Sequence, residues 1–354
     1  MKTDKHGGNI YRYDRHMLDF SANLNPAGMP SEIRQAVIDS LEFCENYPDP
    51  EQNALRKAIA AFHHVQPEQI CCGNGAADII FRIALSFKPK RALVVQPTFI
   101  EYREALETCE CIIDEHLLKE ENAFRPDRSV LPVIAAGHYD MVFFCSPNNP
   151  TGITAEKELV LSMAEACAAS GARLVLDECF MDFALGEETE SVMGDISSLP
   201  NLIILKSFTK YYAMAGIRLG YCVCGSTEDA EVIRGCMQAW PVATTASAAG
   251  IAALRLPDTR DETKAFIALQ RGKLMAGLRS MGFTVYESQA NYVFFKSPVA
   301  LDEPLLAKNI MIRNCSNYHG LTDGYYRIAV RTSEENDYLL DALAEIMGYR
   351  RTTE

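Results

Sequence analysis

Short apolar runs alternate with amphipathic stretches between about residues 70 and 240, and this alternation constrains the fold more than any other feature. Near-continuous apolar runs are typical of strands that are buried on both faces of a parallel sheet. We predict strands at residues 91–95, 141–145, 173–176, 202–205 and 219–223, and helices at residues 76–87, 99–108 and 155–170. The pattern therefore predicts an α/β fold with a mostly parallel sheet.

The pattern changes after Gly282, where shorter runs such as "FTVYES", "NYVFFKS" and "YYRIAVR" alternate apolar and polar residues more regularly. One or two long helices are predicted across residues 244–279, and a closing helix across residues 334–347. Short strands followed by a helix indicate a smaller α+β domain. We predict a large domain at residues 45–245, and a small domain at residues 246–354 that is completed by the N-terminal residues 1–44.

Charge and hydropathy exclude several classes of protein. The net charge of −13 and the lack of a basic stripe argue against a nucleic-acid partner. No apolar run approaches the ~20 residues that span a bilayer, so no membrane partner is predicted. The N-terminal "MKTDKHGGNIYRYDRH" lacks the apolar stretch of a secretory signal, and we expect a cytoplasmic protein.

The chain contains twelve cysteines, but their spacing does not indicate a metal site or disulfides. Cys71 and Cys72 are adjacent, one residue separates Cys222 from Cys224, and no C-x-x-C occurs. Most are expected to be buried and reduced, in agreement with a reducing compartment, and no metal is predicted.

Four segments at the ends of predicted strands carry unusual polar residues. "CGNGAAD" places Gly75 before a helix, which suits an anion cradle but also a plain turn. "SPNNPTG" is either a surface turn or a ligand contact through Asn149. Asp177, at the end of an apolar strand, needs a cation or strong donors, and it serves either a ligand or a structural pair. "SFTK" ends in Lys210, with Arg218 eight residues further on.

Together these groups match pyridoxal 5′-phosphate (PLP) more specifically than any one of them does alone. A lysine amine with a lowered pKa forms a Schiff base with an aldehyde. A carboxylate can pair with the ring nitrogen, an amide with the phenolic oxygen, and a Gly/Ser/Arg cradle with the phosphate. PLP carries these four groups, so the sequence predicts a PLP site.

"SPNNPTG", "LDECFMDF", "SFTK" and "GIRLGY", in this order and spacing, resemble the fold type I family of PLP-dependent enzymes. Within that family, the chain resembles histidinol-phosphate aminotransferases and the threonine-phosphate decarboxylases of cobalamin biosynthesis. The likeness runs from "HGGN" near the N-terminus to "YYRIAVRTSEEN". It implies a large domain with a central, mostly parallel seven-stranded sheet, a smaller α+β domain and a homodimer.

The resemblance also implies a role for individual residues. Lys210 would bind the cofactor aldehyde, and Asp177 would pair with its ring nitrogen. The other implied cofactor contacts are Asn149 at the phenolic oxygen, Gly75, Ala76, Ser207 and Arg218 at the phosphate, Phe99 at the ring face, and Tyr47 at the phosphate in the neighbouring subunit. The implied or predicted substrate contacts are Arg331 for the carboxylate, His6, Gly7 and Arg313 for a phosphate, and Asn25 and Asn149.

Three features favour a decarboxylase over an aminotransferase. Phe180 stands where aminotransferases of this type usually have a tyrosine that donates to the phenolic oxygen. "HGGN" with "LDFSANLNPAGMP", and "IRNCSNYHGL", are also similar to decarboxylase segments. The resemblance therefore implies decarboxylation of L-threonine O-phosphate to (R)-1-aminopropan-2-ol O-phosphate for the cobalamin nucleotide loop. The alternatives are a histidinol-phosphate aminotransferase, a decarboxylase of L-serine O-phosphate, and a non-catalytic regulatory domain that binds the cofactor.

Overall fold

The computed structural model describes residues 5–184 and 191–349. Its strands are β1 (Leu18–Asp19), β2 (Ile70–Gly73), β3 (Arg91–Gln96), β4 (Ile112–Leu117), β5 (Met141–Cys145), β6 (Arg173–Asp177), β7 (Leu202–Ser207), β8 (Gly220–Cys224), β9 (Thr284–Val285), β10 (Tyr292–Lys296), β11 (Ile310–Met311), β12 (Arg313–Asn314) and β13 (Tyr325–Ala329). Its α-helices are α1 (Ser31–Ser40), α2 (Asn53–His63), α3 (Ala76–Phe87), α4 (Glu101–Glu107), α5 (Val130–Gly137), α6 (Lys157–Ser170), α7 (Phe208–Tyr211), α8 (Thr227–Gly235), α9 (Thr244–Ala253), α10 (Arg260–Ser280), α11 (Asp302–Ala307) and α12 (Ser333–Ile346).

A seven-stranded sheet with the order β2-β8-β7-β6-β5-β3-β4 forms the centre of the large domain. Strand β8 runs antiparallel to both of its neighbours, while the pairs from β7 to β4 are parallel. The interior strands β5, β7 and β8 are buried along their whole length, as their apolar sequences predict. The expected α/β fold with a mostly parallel seven-stranded sheet is confirmed.

The five strands predicted for the large domain are present, with ends that differ by at most two residues, but β2 and β4 had not been predicted. Strand β4 is an edge strand whose sequence "IIDEHL" carries three polar residues, so it lacks the apolar run of its neighbours. Strand β2 spans only four residues, two of them cysteines. Helices α1, α2, α5, α7, α8 and α11 were also not predicted.

The C-terminal part contains a four-stranded antiparallel sheet with the order β12-β13-β10-β9, packed with α10 and α12. Strand β1 pairs in parallel with β11, so the N-terminal segment runs alongside the C-terminal part. This pairing concerns Leu18 and Asp19 only, and the assignment of residues 1–44 to the small domain, with boundaries at 45 and 245, remains our proposal.

Parallel strands bring the residues that follow them to one edge of the sheet. The carboxyl ends of β5, β6 and β7 lie side by side, because Cys145 is in register with Asp177 and Asp177 with Leu205. Ligands of open α/β sheets bind beyond these ends. Within residues 5–184 and 191–349, no helix is long and apolar enough to cross a membrane.

Candidate active site

A cavity of about 340 Å³ lies beyond the carboxyl ends of β5, β6 and β7. Asn149 follows β5, Asp177 ends β6 and Lys210 follows β7, and all three line the cavity. The other predicted site residues in the lining are His6, Gly7, Ala76, Phe99, Ser207, Arg218 and Arg313. The fold therefore brings together most of the residues that the sequence had singled out.

Lys210 lies in the short helix α7, directly after β7. Ser207 caps this helix, since its hydroxyl accepts the Thr209 N–H at 3.2 Å. Burial lowers the pKa of the Lys210 amine, and the nearby charges of Arg327 and Arg218 lower it further. A lysine with a lowered pKa has a larger neutral fraction at neutral pH, as a nucleophile needs.

The carboxylate of Asp177 is held by two donors. Its Oδ2 accepts the Tyr102 hydroxyl at 2.5 Å, and its Oδ1 accepts the Cys179 N–H at 2.8 Å. Burial, followed by the charge of Asp177, raises the pKa of the Tyr102 phenol, so this hydroxyl remains protonated and continues to donate. The sequence analysis had not singled out Tyr102, which follows Phe99 by three residues in "FIEY".

An anion cradle lies at the N-terminus of α3. Gly75 has a φ of +87°, and a Cβ there would collide with the Arg218 guanidinium, so glycine is required at this position. The first amides of α3 therefore open towards the cavity beside a cation. The hydroxyls of Ser207 and Thr209 lie 2.6 Å apart on the neighbouring strand end.

The carboxamide of Asn149 is oriented by two donors from the small domain. Its Oδ1 accepts the Tyr318 hydroxyl at 3.3 Å and a guanidinium N–H of Arg327. With its oxygen engaged, the amide N–H₂ is the group available to an acceptor in the cavity. Tyr318 lies in "IRNCSNYHGL", which the sequence analysis had noted only for its resemblance.

The structure does not bring Arg331 into the cavity, and this corrects the predicted carboxylate contact. Its guanidinium donates to Glu335 at 2.7 and 3.0 Å and to the Asp19 carbonyl at 2.9 Å. Arg327, four residues earlier on β13, lines the cavity instead and is 6% exposed. Its Nε has no hydrogen-bond partner in the described part of the chain, so it retains a donor for a ligand.

Asn25 is likewise not part of the cavity lining. Its side chain donates to the Tyr211 carbonyl at 2.9 Å and accepts the Ala27 N–H at 3.1 Å. Asn23, two residues earlier, lines the cavity, and its buried Oδ1 has no partner among the described residues. An unpaired buried polar atom is costly unless a ligand or water satisfies it.

His6, Gly7 and Arg313 form one wall of the cavity, next to the N-terminal segment. Gly7 lies so close to the Ser21 carbonyl that a Cβ would collide with it, which explains a glycine here. The His6 Nε2 lies 2.7 Å from the Glu101 carboxylate. Arg313 donates to the Lys5 carbonyl at 2.7 Å and to Asn317 at 2.8 Å.

Phe180 and Tyr47 occupy different environments. Phe180 lines the cavity, with its ring 5.7 Å from the Lys210 Nζ and in edge contact with Tyr292. Tyr47 lies outside the cavity, is 78% exposed and stacks on Trp240 at 4.0 Å. The role of Tyr47 in a neighbouring subunit therefore remains a prediction.

Comparison with known proteins identifies the family. Residues 15–343 match the model of the family described as aminotransferase class I and II. The chain belongs to the aminotransferase class I and II family. It is 36% identical to threonine-phosphate decarboxylase from Salmonella typhimurium over 97% of this chain and 96% of that protein. It is also 32% identical to the adenosylcobalamin biosynthesis bifunctional protein CobDQ from Leptospira interrogans, over 98% of this chain and 41% of that protein.

Among solved structures, the class I and II fold is shared with the histidinol-phosphate aminotransferase from Clostridium acetobutylicum. The TM-score is 0.87 at 27% identity, covering 94% of this chain and 99% of that one. This chain is therefore a PLP-dependent enzyme of the aminotransferase class I and II family.

The cavity of this class I and II family member fits the chemistry of PLP. The buried Lys210 amine suits the aldehyde, and the doubly held Asp177 carboxylate suits a protonated ring nitrogen. The Gly75–Arg218 cradle suits the phosphate, and the Asn149 amide suits the phenolic oxygen. Each cofactor group would thus meet a complementary group of this chain.

Proposed function

We propose that this chain decarboxylates L-threonine O-phosphate to (R)-1-aminopropan-2-ol O-phosphate, for the nucleotide loop of cobalamin. The names of the two relatives described above support this pathway. The observation that carries the proposal is a pair of arginines in the small domain. Arg313 on β12 and Arg327 on β13 are register partners across the two strands, and both line the cavity.

Two cations directly opposite each other on adjacent strands repel, so the pair is best explained by an anionic ligand. Their register places them one strand spacing apart, about 5 Å between backbones. A compact substrate with a carboxylate and a phosphate matches two such cations. We assign the carboxylate to Arg327 and the phosphate to Arg313, His6 and the backbone at Gly7.

The contacts that Arg327 already makes within the protein support its assignment to the carboxylate. Arg327 uses two donors on Asn149 and the Ser21 carbonyl, and a guanidinium has five. It forms no ion pair with a carboxylate in the described part of the chain, so its charge is available to a substrate. Asn23, with its unpartnered oxygen in the cavity lining, can accept a hydrogen bond from the substrate amine.

Bound PLP would supply an electron sink for the bond that breaks at the substrate Cα. Only a bond perpendicular to the ring can deliver its electrons, so the group that holds the carboxylate decides between loss of CO₂ and loss of a proton. In this proposal Arg327 orients the carboxylate, and Asn149 links that arginine to the cofactor site. In its ammonium form Lys210 would be a stronger acid than an ordinary lysine, because its pKa is lowered, and it can deliver a proton to the carbon that has lost CO₂.

Phe180 distinguishes the decarboxylase from a histidinol-phosphate aminotransferase. No hydroxyl is present at position 180 to donate to the phenolic oxygen, and Asn149, oriented by Tyr318, is left to make this contact. L-Serine O-phosphate is the second candidate substrate. It lacks one methyl group, which a pocket discriminates by only about 1–3 kcal/mol.

We further propose a cytoplasmic homodimer in which Tyr47 reaches the active site of the partner. Tyr47 and Trp240 form an exposed stack, and Leu41 and Phe43, a few residues before Tyr47 in the sequence, are also exposed apolar side chains. Exposed apolar clusters of this kind often mark protein interfaces. Light scattering that gives a monomer mass for the holoenzyme would contradict the dimer.

The test of the reaction is a substrate panel with the purified holoenzyme. L-Threonine O-phosphate, L-serine O-phosphate, and histidinol phosphate with 2-oxoglutarate are supplied separately, and CO₂ and glutamate are measured. The proposal predicts CO₂ from threonine phosphate, with a smaller kcat/KM for serine phosphate. Glutamate from histidinol phosphate without CO₂ from either phospho-amino acid would establish the aminotransferase instead.

A further inference from the structure

Three cysteine side chains converge in the core, away from the proposed active site. Cys71 on β2 is the register partner of Cys222 on β8, and Cys224 follows on the same face of β8. The three Sγ atoms all lie within 4.8 Å of one another, and each residue is 0% exposed. We call Cys71, Cys222 and Cys224 the trithiol cluster.

The spacing of these cysteines in the sequence conceals the cluster. A C-x-C pair on one strand and a cysteine about 150 residues earlier match no common metal motif. Only the antiparallel pairing of β2 with β8 brings them together. Within the described residues no histidine, aspartate or glutamate joins the group as a further ligand.

Helix α8 packs against both strands that carry the trithiol cluster. The Cys71 thiol points towards the Ala230 carbonyl of α8 at 3.2 Å. Ala230 and Ile233 of α8 pack in the same core cluster as the three cysteines. The trithiol cluster is therefore enclosed by the apolar side chains and the backbone of α8.

Geometry and charge select the kind of ion that fits. With bonds to sulfur of about 2.3 Å, three sulfurs around one atom lie about 4 Å apart in a planar arrangement and about 3.5 Å apart in a pyramidal one, so sulfurs that lie within 4.8 Å of one another need to move together by only about 1 Å. Zinc prefers a fourth ligand, and with three thiolates it would leave a buried negative charge. A copper(I) ion would leave a larger one. A trivalent ion that binds three sulfurs forms a neutral complex with three thiolates. Burying this neutral complex costs far less free energy than burying the charged zinc or copper(I) complexes.

We propose that the trithiol cluster is a binding site for trivalent arsenic, supplied as arsenite. One As(OH)₃ reacts with the three thiols to give one arsenic bound to three sulfurs and three molecules of water. Three As–O and three S–H bonds break, and three As–S and three O–H bonds form. No electron is transferred, so the step needs no oxidant or reductant.

The trithiol cluster is connected through the backbone of β2 and β8 to the Gly75–Arg218 cradle proposed for the cofactor phosphate. Strand β2 leads from Cys71 to Gly75, and β8 begins two residues after Arg218 and continues to Cys222. Cross-linking β2 to β8 would therefore restrict the two segments that form the cradle. Strand β2 is the edge strand of the sheet, so its local opening gives arsenite access to the sulfurs.

The test is a titration of the reduced holoenzyme with arsenite after prolonged incubation. We expect one arsenic per chain, and X-ray absorption should show three sulfur neighbours. Cys222→Ala should weaken binding at least about tenfold, because a third intramolecular thiolate adds a large effective concentration. Cys72→Ala is the matched control, since Cys72 lies next to Cys71 on the same strand but on the opposite face and is equally buried.

Cys224→Ala provides a second variant in case Cys222→Ala does not fold, and the absorbance of bound cofactor reports folding of both. Equal arsenite affinity in the wild type and in a folded cluster variant would overturn the proposal. Arsenic with fewer than three sulfur neighbours would also overturn it. Neither result depends on which substrate the enzyme decarboxylates.

Discussion

Replacing Arg327 by lysine is the sharpest test of the substrate site. Lysine keeps the positive charge of this buried side chain but loses the planar fork that can bind a carboxylate through two N–H groups. A hydrogen bond to a charged group contributes about 1.5–3 kcal/mol. Because 1.36 kcal/mol corresponds to a tenfold change, loss of one such bond should lower kcat/KM by about 10- to 150-fold.

Arg331→Lys is the matched control, because Arg331 lies four residues further along and outside the cavity. Its pair with Glu335 is about 30% exposed, and a partly exposed pair of this kind contributes at most about 1 kcal/mol to stability. CO₂ release from threonine phosphate is measured for both variants, with cofactor absorbance as the folding control. A large loss in Arg331→Lys with near-normal activity in Arg327→Lys would refute the assignment.

Three further substitutions test other parts of the site. Burial lowers the pKa of Lys210 in the folded apoprotein. Between that lowered pKa and the ordinary lysine value of 10.5, the folded protein binds fewer protons than the unfolded chain, so wild-type stability rises with pH. Lys210→Met should therefore be more stable than wild type at pH 7 in thermal melts of the apoproteins, and a stability difference that fails to narrow towards pH 10 would contradict this. Phe180→Tyr should divert turnovers to transamination, detected as keto product, with at most about a tenfold loss of decarboxylation, the value of one neutral hydrogen bond; an unchanged product ratio would count against the role of this position. Tyr318→Phe should weaken PLP binding about two- to tenfold in fluorescence titrations, while the exposed Tyr338→Phe should not, and equal affinities would show that the Tyr318 contact with Asn149 is not needed.

The large domain could be predicted from sequence wherever a strand is buried on both faces. Strand β5 and residues 202–205 of β7 are unbroken apolar runs, because no solvent-facing residue interrupts them. Strand β4 lies at the edge and carries Asp114, Glu115 and His116, so its pattern does not resemble that of a buried strand. Helix α1 has no side-chain N-cap hydrogen bond and buries only Ile33 and Ser40, which leaves little periodic signal.

The cofactor side of the site was predictable because its residues follow strands in short motifs. The substrate side depends on strand register, which the sequence does not show directly. Two local signals could nevertheless have corrected the assignments. Thr332 and Glu335 form a capping box, which is a sequence signal for the start of a helix. This signal predicts that Arg331 lies at the helix start, beside the carboxylate of Glu335. Asn25 precedes a proline and binds the Ala27 N–H, as expected of a turn residue and not of a ligand contact.

The trithiol cluster also depends on strand pairing that the sequence does not show directly. Each of its strands carries a spacing that indicates ordinary buried thiols, and only the pairing of β2 with β8 makes three sulfurs neighbours. A contact between residues far apart in sequence cannot be inferred from the local spacing of either segment.

The most direct test of the central claim is product analysis after turnover of L-threonine O-phosphate in D₂O. The proposed reaction breaks the bond between Cα and the carboxylate and returns one proton to that carbon. The expected product is 1-aminopropan-2-ol O-phosphate with one deuterium on the amine-bearing carbon and one CO₂ per molecule, as measured by NMR and mass spectrometry. A keto acid phosphate that retains its carboxylate, with the amino group transferred to the cofactor, would contradict the claim.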